Sequence, residues 1–226
     1  MKNISVLLFL LITLALNAQN NKTSGLNARQ FHKYWKVESE SPDYKVTFLG
    51  DTVEILSPKG LTLWRKEKMS GKVTIEYDAC VVVEVEGDRL SDLNCFWMAS
   101  DPQYPDNIWK REKWRSGIFL NCYSLQLYYM GYGGNHNSTT RFRRYDGNEA
   151  AITNAKARPA ILKEYTDADH LLEANKWYHI KITNENNRVS YYINGVRLVD
   201  FRDADPLTEG WFGFRTTLSR TRIANF

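Results

Sequence analysis

A strict two-residue alternation constrains this chain more than any other feature. In "GKVTIEYDACVVVEVEG" Val73, Ile75, Tyr77, Ala79, Val81, Val83 and Val85 share one face. Thr74, Glu76, Asp78, Cys80, Val82, Glu84 and Glu86 share the other. That period belongs to a β-strand, with one side buried and the other left to solvent or to a cleft. The segments "DLNCFWMASDP", "SGIFLNCYSLQLYYMGY", "STTRFRRYDG", "KWYHIKITNENNRVSYYINGVRLVDFRD" and "GWFGFRTTLSRTRIANF" are likewise rich in aromatic and β-branched residues and bounded by Gly, Pro, Asn or Asp. Gly50-Asp51, "NENN" and Asn194-Gly195 mark hairpin turns. Only "ILKEYTDADHLLEA" offers a short helical run, and it reads more as a loop excursion. No repeat of fixed period is visible. The expected fold class is all-β: an antiparallel β-sandwich of jelly-roll type, one domain over residues 31–226.

Upstream, "MKNISVLLFLLITLALNAQN" sets Lys2 before an apolar run from Ile4 to Leu16, with Ala18 before Gln19. This predicts a cleavable signal peptide over residues 1–18 and a polar spacer over 19–30. The run is short for a membrane span, and the residue directly after the cleavage point is Gln19 and not a lipoprotein cysteine. A secreted or periplasmic protein without membrane insertion is expected. The net charge of +4 suits an acidic ligand and is too small to imply nucleic acid. Seven Trp and 13 Tyr supply flat surfaces for sugar rings. Cys80, Cys95 and Cys122 match no zinc spacing and lie in apolar runs, which favours buried thiols; one disulfide stays open.

The densest chemistry is in "YYMGYGGNHNSTTRFRRYDG". Alternation sets Tyr128, Met130 and Tyr132 on one strand face, and Arg141, Arg143 and Tyr145 on one face of the returning strand, with Asn135, His136 and Asn137 at the bend. Converging on one hollow, these groups suit β-elimination on a uronic acid. Arg141 or Arg143 holds the carboxylate, His136 removes the C5 proton, and Tyr132 or Tyr128 protonates the leaving oxygen. The plainer alternative is a glycine-rich turn with a solvated His136 and arginines paired to acids on the next strand. Asn94, with Asp92, can orient a sugar hydroxyl, and Trp97 either stacks on a ring or fills the core. Trp109 and Trp114 lie in the charged stretch "YPDNIWKREKWRS", read as a long surface loop and a stacking lid, or as rings folded back onto the barrel edge. Arg215 or Arg220 offers a second carboxylate clamp or an edge-strand charge. Asp200, Asp203 and Asp205 read as a turn, because the spacing of a calcium loop is missing. His32, His136, His170 and His179 have no metal-ligand spacing. No phosphate loop, dinucleotide fingerprint or Gly-x-Ser-x-Gly occurs, and no cofactor is expected.

The C-terminal third carries Trp-Tyr, two hairpin strands with Asn-Gly, and then "GWFGFR". It resembles the end of concanavalin-like (laminin-G-like) jelly rolls. With "DLNCFWMASDP" and "GYGGNHNSTTRFRRYDG", the chain from about residue 30 to 226 resembles the YesU-like bacterial family. That resemblance implies association with pectin and rhamnogalacturonan use and a concave sheet facing a carbohydrate. Retaining glycosidases of this fold carry Glu-x-Asp-x-x-Glu on one strand. Here Glu76 and Asp78 are followed by Val81 where the second glutamate belongs, so the paired carboxylates are missing. The expected function is therefore action on a uronic-acid-containing polysaccharide or oligosaccharide. A polysaccharide lyase comes first, a non-catalytic carbohydrate-binding protein is the alternative, and a glycoside hydrolase stands third.

Overall fold

The computed structural model describes residues 24–226; the expected signal peptide and residues 19–23 of the spacer lie outside them. The remainder of that spacer packs onto the domain. Leu26 is buried in the core, and the Ser24 carbonyl accepts from Trp35 Nε1 at 2.8 Å.

Thirteen strands follow: β1 (Trp35–Ser39), β2 (Lys45–Leu49), β3 (Thr52–Arg65), β4 (Met69–Ser70), β5 (Val73–Val82), β6 (Leu93–Ser100) and β7 (Gln126–Gly133), then β8 (Thr139–Asp146), β9 (Lys163–Tyr165), β10 (Trp177–Glu185), β11 (Arg188–Ile193), β12 (Val196–Arg202) and β13 (Glu209–Ala224). Hydrogen bonds run in the order β12-β11-β10-β5-β13-β6-β7-β8-β9, with β1 and β2 on β3 and β4 on β13. The expected hairpins are there: Leu49 pairs with Thr52, Glu185 with Arg188 and Ile193 with Val196.

Two long strands turn this ladder into a sandwich. The end of β13, from Arg220, pairs with β5, and its beginning, Trp211 to Arg215, pairs with β6. β3 follows β13 along both parts, taking β2 on its first half and β1 on its second. Between the halves the register shifts from Thr217 to Ser219, and Leu218 adopts φ 49°. Such a bulge bends a strand sharply. One layer therefore holds β2, β5, β10, β11 and β12, and the other holds β1, β6, β7, β8 and β9.

Aromatic rings join the layers. Trp97 stacks on Tyr191 at 6.3 Å, and Tyr132 meets Tyr178 edge-on at 5.2 Å. Alternation on β5 places Ile75, Tyr77, Ala79 and Val81 in this core. Glu76 and Asp78 point to the outer surface, where they pair with Lys181 at 2.7 Å and His179 at 2.8 Å. A second apolar core, including Trp64, Phe96, Ile108, Cys122 and Tyr145, lies on the opposite face of the β6–β8 layer.

The segment that covers this second core contains "YPDNIWKREKWRS". It forms short helical turns over Ile108–Arg111, Glu112–Arg115 and Leu120–Ser124 rather than a free surface loop. Its anchor is Arg115, fully buried, whose Nη2 donates to Glu38 Oε2 at 2.8 Å and to the Ile108 carbonyl at 2.7 Å. Burial pushes the Glu38 carboxyl up, and the Arg115 guanidinium opposes that shift. "ILKEYTDADHLLEA" gives the short β9 and a turn at Ala168–His170. All three cysteines are free and buried, and burial raises the Cys95 and Cys122 thiols to about 12 and about 11. No helix of the described residues is long and apolar enough to cross a membrane.

Candidate functional site

The exposed part of the β6–β8 layer is organised by cross-strand rows. Thr62, Arg215, Asn94, Gly131 and Arg141 are aligned in register, and the next row is Trp64, Gly213, Phe96, Tyr129 and Arg143. Side chains two apart on a strand share a face, so both rows look the same way. Gly131 makes the hollow. A Cβ there would lie 2.7 Å from Tyr129 Cζ, so the missing side chain lets the phenol lie back over its own strand.

The resulting cleft holds about 410 Å³. Phe119, Leu120 and Tyr123 wall it from the covering segment; Arg89 and Asp92 lie ahead of β6, and Gly134, Asn135, His136 and Thr139 form the far rim. Five arginines line it, Arg89, Arg141, Arg143, Arg158 and Arg215, against the single acidic side chain of Asp92. They are not equivalent. Arg89 pairs with Asp92 at 3.1 Å and Arg141 with Glu164 at 2.5 Å. Arg215 Nη1 donates to the Gly117 carbonyl at 2.6 Å, Arg143 donates to the Pro159 carbonyl, and Arg158 lies over the Tyr123 ring at 5.8 Å. Among the described residues none of these last three has an ion-pair partner, but Arg215 is buried and its charge acts on Glu38, so the charge available to an anion is that of Arg143 and Arg158.

Asn94 donates to Asp92 Oδ1 at 3.2 Å, while its own buried Oδ1 has no hydrogen-bond partner. A buried acceptor left this way is satisfied by a ligand or by water. Burial holds the Tyr129 phenol well above its ordinary pKa, with Asp92 adding to the shift and Arg215 and Arg143 opposing it. The phenol is therefore a neutral proton donor.

The bend is left-handed: Gly133, Asn135, His136 and Asn137 have φ of 66°, 51°, 59° and 57°, a conformation that glycine adopts freely and asparagine tolerates through its short polar side chain. Asn137 fixes it: Nδ2 donates to the Leu172 carbonyl at 2.9 Å, and the Leu172 N–H donates to Oδ1 at 2.8 Å. Asn135 and His136 thus line the cleft, whereas Asn137 is a latch.

Several expected residues lie elsewhere. Tyr128 and Tyr132 occupy the opposite face of β7, inside the core. The Tyr128 hydroxyl donates to Asp203 Oδ2 at 2.6 Å and that of Tyr132 to the Leu171 carbonyl at 3.2 Å. The cleft's phenol is Tyr129, one position away. Trp97 fills the core. Trp109 packs against Trp211 at 6.2 Å, and Trp114 carries Arg111 over its ring at 4.9 Å; neither lines the cleft. Arg220, beyond the bend of β13, pairs with Asp88 at 3.3 Å. Arg89, Arg158, Phe119 and Tyr129 escaped the sequence reading; the glycine two residues after Tyr129 was the only signal for any of them. Among the described residues no group of three or more His, Cys, Asp or Glu could hold a metal ion.

A family model described as "Domain of unknown function (DUF6250)" matches residues 55–226. The chain belongs to this family. The DUF6250 chain is similar in structure to a Bacillus subtilis protein of unknown function with a galectin-like fold, at 15% identity over 88% of this chain and 90% of that one, with a TM-score of 0.68. It is also similar to the carbohydrate-binding module CBM66 from Bacillus subtilis (18% identity, 84% and 92% covered, TM-score 0.54). A third likeness is to an endo-β-1,3-glucanase from Pyrococcus furiosus (10% identity, 84% and 86% covered, TM-score 0.55). No curated protein matches the sequence. At these identities the likeness establishes the fold, a galectin-like and concanavalin-like jelly roll; the alternation predicts the antiparallel jelly roll and the resemblance its concanavalin-like type. Binding modules and hydrolases share this fold, so it does not choose between their activities.

Proposed function

We propose that this DUF6250 protein, exported from the cell, takes a uronic-acid-containing saccharide into the cationic cleft and cleaves it by β-elimination. The resemblance to the YesU-like family, associated with pectin and rhamnogalacturonan use, supports the choice of sugar. The observation that carries the reading is the excess of guanidinium groups around a neutral phenol in one cleft. Arg143 and Arg158, free of carboxylate partners, hold the substrate carboxylate and so acidify the C5 proton. His136 takes that proton. Its electrons form the C4–C5 double bond, the C4–O bond breaks, and the Tyr129 hydroxyl protonates the departing oxygen. No water is consumed.

One observation favours a second reading, carbohydrate binding without cleavage: His136 is solvent-exposed at the rim rather than enclosed beside Tyr129. Overnight incubation with a panel of acidic polysaccharides separates the readings. A lyase generates the ultraviolet absorbance of an unsaturated uronate. A hydrolase raises reducing ends without it, and a binder is retarded on a polysaccharide gel and does neither. Full activity in His136→Ala would remove His136 from the base role.

A further inference from the structure

The geometry points to a cleft with a closed end, which receives the terminus of an acidic saccharide chain and not its interior. The inference rests on the acidic-saccharide reading above. A groove that takes the middle of a polymer must be open at both flanks of the sheet it crosses. The row that floors this cleft runs from Arg141 on β8, through Gly131 and Asn94, to Arg215 on β13 and on to Thr62 of β3.

On the β3 flank the row is blocked by main chain. Gly117 sits so near β3 that a Cβ on it would lie 2.7 Å from the Gly60 carbonyl oxygen and 2.7 Å from the Glu40 nitrogen. Its φ of 69° is one that glycine adopts readily. The Arg215 guanidinium, bonded to the Gly117 carbonyl and 5.5 Å from the Phe119 ring, fills the space in front of this plug. The plug is rigidly based, because Arg115, two residues before it, is the buried partner of Glu38. Along the strands the second core closes the cleft with Phe96, Tyr123 and Tyr145.

The open approaches are the β8 and β9 side, beside Arg143 and Arg158, and the exposed rim of Asn135 and His136; neither passes the plug at the β3 flank. A volume of about 410 Å³ is at the small end of ligand cavities, roughly 300–1,000 Å³, and has room for about two sugar rings. The terminal ring would lie over Gly131, where the unpartnered Asn94 Oδ1 accepts from one of its hydroxyls.

Calorimetric titration of the full chain tests this, using monomers to hexamers of galacturonic, glucuronic and mannuronic acid and the corresponding polymers. The expected result is an affinity that rises about tenfold from monomer to dimer, worth about 1.4 kcal/mol, and then levels off. With polymer, the stoichiometry should be one protein per chain end. Affinity that climbs steadily to the hexamer, or several proteins bound along each polymer chain, would overturn the closed end while leaving acidic-saccharide recognition standing. Absence of binding across the whole panel would overturn that recognition and the closed end with it.

Discussion

Gly131 and Tyr129 act as one unit: the glycine makes the space and the tyrosine fills it, so the hydroxyl reaches the row shared by Asn94 and Arg141. Tyr129→Phe keeps the packing and removes the acid. Turnover is expected to fall roughly 10²–10⁴-fold with little change in KM, measured by steady-state absorbance. Tyr128→Phe should leave turnover unchanged and destabilise the fold by about 1–3 kcal/mol in urea denaturation, because buried Asp203 loses a donor. The arginines separate by their partners. Arg143→Ala or Arg158→Ala should weaken binding of an acidic oligosaccharide by about 1.5–3 kcal/mol in calorimetry, the range for hydrogen bonds to charged groups. Arg141→Ala should cost less, since Glu164 already occupies that guanidinium.

At the scale of the element, two strands show what a sequence can and cannot disclose. Over its first part β5 has one face to the core and one to water, so its alternation names the buried residues there, Ile75 and Tyr77 in and Glu76 and Asp78 out. Farther on Cys80 and Val82 are buried too, and the strand ends before Val83 and the exposed Val85. β7 is covered on both faces, by the inter-layer core on one side and the second core on the other. Apolar residues then occupy both parities, and Tyr128, Tyr129 and Tyr132 look alike in the sequence. Which face is hollow is fixed by what packs over it, and that is the β6–β7 segment pinned by Arg115 to the distant Glu38. A charged run such as "KREKWRS" reads as solvated because its neutralising partner, Glu38, is far away in the chain. Glu38→Ala leaves Arg115 buried without that partner. It should destabilise the protein by about 3–5 kcal/mol in thermal or urea melts. The double variant Glu38→Met with Arg115→Met should recover most of that loss.

Across the whole molecule, a net charge of +4 is modest, yet five of the cationic side chains gather on one cleft. Field at the cleft, rather than total charge, should govern association with an anion. Affinity for an acidic oligosaccharide is expected to fall severalfold between about 0.1 M and about 1 M salt, as the Debye length shrinks from about 10 Å to about 3 Å. A neutral sugar of equal size should show no such loss, and parallel titrations at the two salt levels check the difference. The architecture also carries a constraint in time. β13 comes after β3, β4, β5 and β6 in the chain, yet it bonds to all four. A ribosome delivers those partners long before it delivers β13, and until then both halves of the sandwich lack their shared spine. The sandwich therefore closes only when β13 docks, and its partner strands wait unjoined until that strand arrives.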